Sequence, residues 1–275
     1  MRVDAHQHYW RVARGDYFWM GPEVAPLCRD FLPPELEPLL AANGFDGSVV
    51  VQAAPTLDET GYLLDLARTH ASILGVVGWV DLESEALSGD LAQLKAFRKF
   101  VGVRPMLQDL PDDDWIARPH VLAGVQELER QGVALDFLVF TRHLPFVLRA
   151  LDAAPKLRCV IDHAAKPNLR GGDLAEWRRL LAEVASRSNV YCKLSGLVTE
   201  AGPGFQAEEL APVVEHALAI FGEDRLIFGS DWPVCTLVAS YERVLNALTR
   251  VLGERLSGDF SRKLFGENAR RLYGF

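Results

Sequence analysis

Eight short apolar runs rich in β-branched residues recur along the chain, at residues 3–7, 47–53, 73–80, 100–105, 132–138, 157–163, 189–195 and 225–231. Helical patterns separate them. Residues 58–70 carry an apolar stripe at Tyr62, Leu63 and Leu66. Residues 173–187 start at a candidate cap, Asp173, and repeat apolar positions at Leu174, Trp177, Leu180, Leu181 and Val184. Segments 207–221 and 238–252 repeat the pattern, and Gly44, Gly132 and Gly222 stand where a left-handed residue closes a helix before the next strand. Strands alternating with helices specify βαβ units and a parallel sheet. Eight such units fill the 275 residues with no room for a second domain, and about 250 residues is the usual size of a (β/α)8 barrel. No Gly-x-Gly-x-x-Gly follows the first run, so an open nucleotide-binding sheet lacks its mark. The expectation is one α/β domain over 1–275, a TIM-type (β/α)8 barrel, with an extra C-terminal helix at about 257–272 as an appendage.

Charge narrows the partners. The formal net charge is −8, with acids and bases interspersed, so the basic face needed for nucleic acid or an anionic membrane is not expected. No apolar run approaches the roughly 20 residues that span a bilayer. Cys28, Cys159, Cys192 and Cys235 form no Cys-x-x-Cys pair, and the chain opens on a strand pattern without a signal sequence. Reduced thiols in a cytoplasmic protein are the simplest expectation. A small molecule is the expected partner, and association into a homo-oligomer is left open.

One connection is long. Residues 9–34, between the first strand and a helix near 34–43, hold Tyr9, Trp10, Tyr17, Phe18, Trp19, Pro22, Pro26, Pro33 and Pro34. Long loops in compact domains tend to be functional. This one leaves the C-terminal face of the barrel, where such enzymes place their active sites, and is expected to cap the site.

The strand ends carry the chemistry. His6 and His8 share a face by the two-residue strand period. Taking the polar residue at each later strand end as inward adds Gln52, Trp79, Arg104, Asp136, His163, Ser195 and Asp231, above inner layers that include Val50, Val77 and Ile161. Asp4 and Lys193 have inward parity one layer lower, as supports. His70, His120 and His216 read as surface or helix-end residues, and His143, just past the fifth strand, is left open. Arg142 and Lys166 are candidates for the rim.

Asp4-Ala5-His6-Gln7-His8-Tyr9-Trp10, Gly102-Val103-Arg104, Ile161-Asp162-His163-Ala164-Ala165-Lys166-Pro167, Lys193-Leu194-Ser195-Gly196-Leu197, Gly229-Ser230-Asp231-Trp232-Pro233 and Phe265-Gly266-Glu267-Asn268-Ala269 follow in order along nearly the whole chain. Together they resemble the amidohydrolase superfamily, in its branch of sugar lactonases and pyrone-dicarboxylate lactonases. The resemblance implies a distorted barrel and hydrolysis of a cyclic ester, an aldonolactone of the L-fucono- or L-rhamnono- type for the sugar-lactonase members. Two-metal members bridge their ions with a carboxylated lysine or a glutamate at the fourth strand. Here that place holds Arg104, so a binuclear site is not expected. His6, His8, His163 and Asp231 remain as a set that could hold one Zn²⁺, although the chemistry does not strictly require a cofactor.

The expected mechanism has Asp231 as general base on water, while His6, His8 and His163, with Arg104, polarise the lactone carbonyl. Gln52, Trp79, Asp136, Lys166, Ser195 and Trp232 are the expected substrate contacts. A pyrone dicarboxylate calls for several converging arginines, which favours a neutral sugar lactone. A metal-dependent decarboxylase of the same superfamily and a non-catalytic sugar-acid-binding barrel are the alternatives.

Overall fold

A computed structural model describes residues 1–275. Its eight strands are β1 (Val3–Gln7), β2 (Gly47–Val51), β3 (Ile73–Gly78), β4 (Phe100–Val103), β5 (Ala134–Phe137), β6 (Cys159–Ile161), β7 (Val190–Leu194) and β8 (Leu226–Phe228). They pair in parallel in sequence order. The helices that cover them include α1 (Pro33–Ala42), α2 (Leu57–Thr69), α3 (Leu87–Leu94), α4 (Pro119–Gln131), α5 (Leu144–Ala153) and α6 (Ala175–Ala185). A short α7 (Leu197–Ala201) precedes α8 (Ala211–Phe221), α9 (Tyr241–Leu252), α10 (Gly258–Arg262) and α11 (Asn268–Tyr273). The architecture is a (β/α)8 barrel. No helix is long and apolar enough to cross a membrane, and the four cysteines are free.

Two apolar layers hold the barrel. The larger packs the outer faces of the strands against the helices, with Val50, Leu135, Ile161, Cys192 and Phe228 among its buried members. The smaller fills the interior with Val3, Ala5, Val49, Val51, Val77, Val101, Ala134, Val160 and Ile227. Val77 is therefore inward as expected, whereas Val50 and Ile161 face the helices. α11 belongs to the inner cluster through Ala269, Leu272 and Tyr273. The C-terminal helix is not an appendage: it plugs the interior.

Closure occurs at a seam. β1 and β8 meet through a parallel bridge between Gln7 and Trp232. There the His8 amide donates to the Trp232 carbonyl at 2.8 Å and the Asp231 amide to the His6 carbonyl at 2.8 Å. β1 also bulges. Its register against β2 runs from Asp4 opposite Ser48 to Gln7 opposite Val50, three steps against two. A bulge re-aims side chains, and here it turns both Ala5 and His6 inward. Asp4 is thereby directed away from the interior, correcting its expected inward place. Its carboxylate accepts from the Ser230 amide at 2.9 Å and lies toward the Tyr241 phenol of α9. Burial pushes its pKa up to about 6, against the hydrogen bonds it accepts.

Candidate active site

The bulge and the seam bring the first and last strands' polar residues to one point. His8 Nε2 lies 3.4 Å from Asp231 Oδ1, and His6 Nε2 lies 3.7 Å from the same oxygen. The His6 ring meets His163 edge-on, with centroids 4.6 Å apart. His163 arrives by a different route. After β6 the inward strand-end residue is Asp162, and His163 follows at φ +53°, the first of four successive left-handed residues ending at Lys166. Asp231 is also left-handed, at φ +60°. Such conformations cost non-glycine residues on the order of 1 kcal/mol or more each and cluster at functional sites. Two glycines make room. A Cβ on Gly196 would stand 2.6 Å from His163 Nδ1, and one on Gly229 would stand 2.4 Å from His6 Cβ.

Each ring is oriented by its other nitrogen. His8 Nδ1 donates to the Val51 carbonyl at 2.8 Å, and His163 Nδ1 pairs with the Ser195 hydroxyl at 2.9 Å. Beneath His6 lies a sealed ionic cluster. Lys193 Nζ is 2.5 Å from Asp136 Oδ2, 3.0 Å from Asp162 Oδ1 and 3.1 Å from His6 Nδ1. The Tyr273 hydroxyl donates to Asp136 at 2.7 Å. Arg104 Nη2 donates to the Gln52 carbonyl at 2.5 Å, while its Nη1 lies 3.4 Å from Asp162 and 3.5 Å from His6 Nε2.

Burial sets the charge states. It pushes His163 down to about 4 against the pull of Asp231 and Asp162, and together with Lys193 it holds His6 well below the ordinary histidine range. Both rings are neutral at pH 7. Burial alone would raise the Asp231 carboxyl, but the imidazoles of His163, His8 and His6 around it prevail and hold it below the ordinary range. It is therefore a carboxylate at neutral pH.

A cavity of about 240 Å³ opens over this group. His8, Arg104, Gln108, His163, Lys166 and Asp231 form its polar side. Trp10, Trp19, Val24, Leu27, Met106, Leu138, Val234 and Leu237 form the apolar one. Lys166 Nζ donates to Gln108 Oε1 at 2.5 Å on that wall. The 9–34 connection supplies four of the apolar residues. Trp10 anchors it, fully buried, with Nε1 donating to the Arg29 carbonyl at 2.7 Å and its ring edge-on to Trp19 and Phe31.

Several expected substrate contacts lie elsewhere. Gln52 is buried and grips Arg104, with Nε2 donating to the Arg104 carbonyl at 2.6 Å. Asp136 belongs to the sealed cluster below, and Ser195 sits behind His163. Trp232 packs against Phe31 and Tyr9. Trp79 lines an adjoining cavity with Phe18 and Trp115. Strand parity does not reach Gln52, Trp79 and Ser195 because the strands end before them: β2 stops at Val51, β3 at Gly78 and β7 at Leu194; Asp136, inside β5, does point inward, but a layer below the cavity. Beyond those points side-chain direction is set by loop torsions. Arg142 leaves the rim to pair with Asp113, and so does His143, which is buried. His70 and His120 pair with Glu37 and Glu83, and His216 with the Arg178 carbonyl. The sequence reading missed Gln108 and Met106, which carry no strand signal. It also missed Trp10 and Trp19 as individual wall residues, though it flagged their loop.

His6, His163 and Asp231 offer ligand atoms all within 4.8 Å of one another. Two imidazoles and a carboxylate suit zinc. His8, with Nδ1 tied to a carbonyl and Nε2 turned to the same carboxylate, has the orientation that leaves a ring nitrogen bare for a cation. The group therefore fits a single divalent ion.

A family model described as amidohydrolase matches residues 3–275. An L-fucono-1,5-lactonase of Burkholderia ambifaria is 44% identical over 275 residues, covering 99% of this chain and 95% of that protein. An L-rhamnono-gamma-lactonase of Scheffersomyces stipitis is 27% identical over 203 residues, covering 64% of this chain and 60% of that protein. The crystal structure of a Burkholderia multivorans amidohydrolase with bound zinc superposes with a TM-score of 0.93 at 41% identity, covering 100% of this chain and 99% of that one.

Proposed function

This chain belongs to the amidohydrolase family, and from that premise we propose that it is a lactonase that opens a sugar lactone of the L-fucono- or L-rhamnono- type to its sugar acid. The observation that carries the reading is Asp231: an ionised carboxylate on the cavity wall, facing His8 at 3.4 Å and His6 at 3.7 Å.

His8 gives its Nδ1 proton to the Val51 carbonyl, which sets Nε2 as the acceptor beside Asp231. Two acceptors so placed hold a water by both of its hydrogens. Asp231 takes one proton as the water oxygen bonds to the lactone carbonyl carbon. Arg104 and the other imidazoles face the oxygen that becomes negative; each such donor contributes on the order of 10²–10³-fold. The ring C–O bond then breaks, and the leaving ring oxygen takes the proton back from Asp231, giving the hydroxy acid. Burial keeps the site dry and its electrostatics strong. A divalent ion, when bound, would be held by His6, His163 and Asp231 and would supply Lewis-acid polarisation of the carbonyl.

The two-sided cavity supports a deoxy-sugar lactone. Its polar arc suits ring hydroxyls, and its apolar arc, with Trp10 and Trp19, suits a methyl substituent and an apolar ring face. The 9–34 connection is the roof of the site. Arg104 and Lys166 are the only cationic side chains on the cavity wall, and Lys166 is engaged by Gln108. That is too few for a pyrone dicarboxylate. The test is a panel of aldonolactones and a pyrone dicarboxylate followed with a pH indicator. Turnover of 6-deoxy aldonolactones is expected. A protein that turns over only the dicarboxylate, or no lactone at all, would overturn the reading.

A further inference from the structure

Glu59, in the first turn of α2, touches neither water nor the reacting groups, yet it is fully buried. Taking a carboxylate out of water is costly unless hydrogen bonds compensate it, so its partners show what it is for. Thr56 caps α2, with Oγ1 accepting from the Glu59 amide at 3.1 Å. In a capping box a glutamate at this place turns back to the amide of the cap residue. Here the Thr56 amide is taken by the Ala54 carbonyl at 2.9 Å, and the glutamate reaches past it. Oε1 and Oε2 accept from the Ala53 amide at 3.0 and 3.1 Å, and Oε2 also accepts from the Ala54 amide at 2.8 Å.

The Ala53 N–H and the Gln52 carbonyl belong to one trans peptide group, which points them in opposite directions. That carbonyl accepts from Arg104 Nη2 at 2.5 Å. A single peptide is thus gripped by the Glu59 carboxylate on one side and by the Arg104 guanidinium on the other. The chain just before it is already fixed, because the Gln52 amide donates to the Val77 carbonyl at 2.8 Å. What remains to be set is the plane of the 52–53 peptide, and Glu59 sets it. We propose that Glu59 is a positioning residue that orients the Arg104 guanidinium on the cavity wall through the Gln52–Ala53 peptide. Its charge also polarises that peptide, which makes the carbonyl a stronger acceptor for the arginine. The same turn carries part of the roof: the Ala53 carbonyl accepts from Trp19 Nε1 at 2.7 Å, and both residues line the cavity. A glutamate that only stiffens the turn would act through Trp19 and so on KM. One that aims Arg104 acts on kcat, because Arg104 faces charge that develops only in the transition state.

Burial pushes the Glu59 carboxyl up to about 7, against the two amides and the charges of Arg104 and Arg14, so the test belongs at about pH 8.5, where the group is ionised. Glu59→Gln keeps the shape, removes the charge and turns one acceptor into a donor facing a donor. On a lactone the parent turns over, kcat is expected to fall about tenfold, less than the roughly 10²–10³-fold of losing a whole oxyanion donor. In an Arg104→Lys background the same substitution is expected to change kcat by no more than about twofold, the non-additivity of residues that act together. A folded Glu59→Gln with wild-type kcat, a loss confined to KM, or an equal loss of kcat in both backgrounds overturns the proposal. Spectra of ¹⁵N-arginine-labelled protein without substrate read the guanidinium itself, with Arg104 assigned by loss of its signals in Arg104→Lys. Separate Nη1 and Nη2 signals are expected in the parent, because a held guanidinium rotates slowly, and one averaged signal in Glu59→Gln. An averaged signal in the parent, or separate signals kept in the variant, overturns the proposal. Should Glu59→Gln fail to fold, Glu59→Asp, one methylene shorter, withdraws the carboxylate from the two amides and is read in the same way. The kinetic arm rests on the lactonase reading and the spectra do not. If no lactone is turned over, that reading falls and the spectra decide this proposal.

Discussion

Asp231→Asn isolates the proton-transfer step from everything else the carboxylate does. The substitution keeps size and shape, and asparagine tolerates the left-handed φ of +60° that this position requires. The backbone ties that fix the turn, Asp231 amide to His6 carbonyl and Cys235 amide to Asp231 carbonyl, both 2.8 Å, are untouched. What is lost is a base on water. General-base assistance typically contributes about 10²–10⁴-fold, or about 3–5 kcal/mol of barrier. The expected result is a fall in kcat of that size with KM little changed and an unaltered thermal midpoint, measured with a pH indicator on the best lactone of the panel. Asp231→Ala serves as the contrast. It loses the same base but also forces alanine into the left-handed region, at a further cost of roughly 1–2 kcal/mol in stability. A kcat for Asp231→Asn within tenfold of wild type, in a folded protein, would refute the assignment of Asp231 as the base.

Further expectations follow from the packing around it. Trp10→Phe keeps the aromatic contacts but leaves the Arg29 carbonyl without its donor, costing about 1–3 kcal/mol; urea unfolding should show the loss and KM should rise more than kcat falls. An unchanged KM would argue that the 9–34 connection does not shape the substrate site. Gly196→Ala places a Cβ 2.6 Å from His163 Nδ1 and should break the Ser195 hydrogen bond and lower kcat. Gly15→Ala is the matched control, because at φ +77° it meets nothing within 4 Å and should cost only backbone strain. Equal losses of activity in the two would sink the close-approach argument. The buried His163, pushed down from 6.5 to about 4, is neutral in the folded state where the unfolded chain binds a proton. Its contribution to stability is present above pH 6.5 and lost as pH falls toward 4. The limit is roughly 3 kcal/mol for a displacement of that size. Urea titrations at pH 7 and pH 5 should show the decline, and His163→Gln should flatten it.

The order of the elements was legible from the chain because it depends only on local patterning. Eight β-branched runs, spaced by helical stripes and closed by glycines such as Gly44 and Gly132, leave few alternatives to a parallel barrel. The same runs end in His6, His8, His163 and Asp231, and a parallel barrel brings its strand ends to one face. The motifs therefore specify which residues meet. Individual directions were less legible. Parity held for Val77 and Lys193, which lie inside regular strands. It failed for Asp4, where β1 bulges, and for Trp79, which lies beyond the last residue of β3.

The class of fold, the strand ends that carry chemistry and the family follow from the chain, because period, motif order and residue type are local properties. The tasks of individual residues come from the packing of distant segments. That packing made Gln52 a clamp on Arg104, placed Trp10 and Trp19 on the cavity wall, drew α11 into the barrel, and set Asp136, Asp162, Lys193 and Tyr273 in one column beneath His6. The physical reason is that a hydrogen bond or a buried charge is a relation between residues far apart in the chain. Tyr273 and Asp136 are 137 positions apart, and Lys193 and His6 are 187. No local pattern encodes which of two nitrogens a distant lysine will reach.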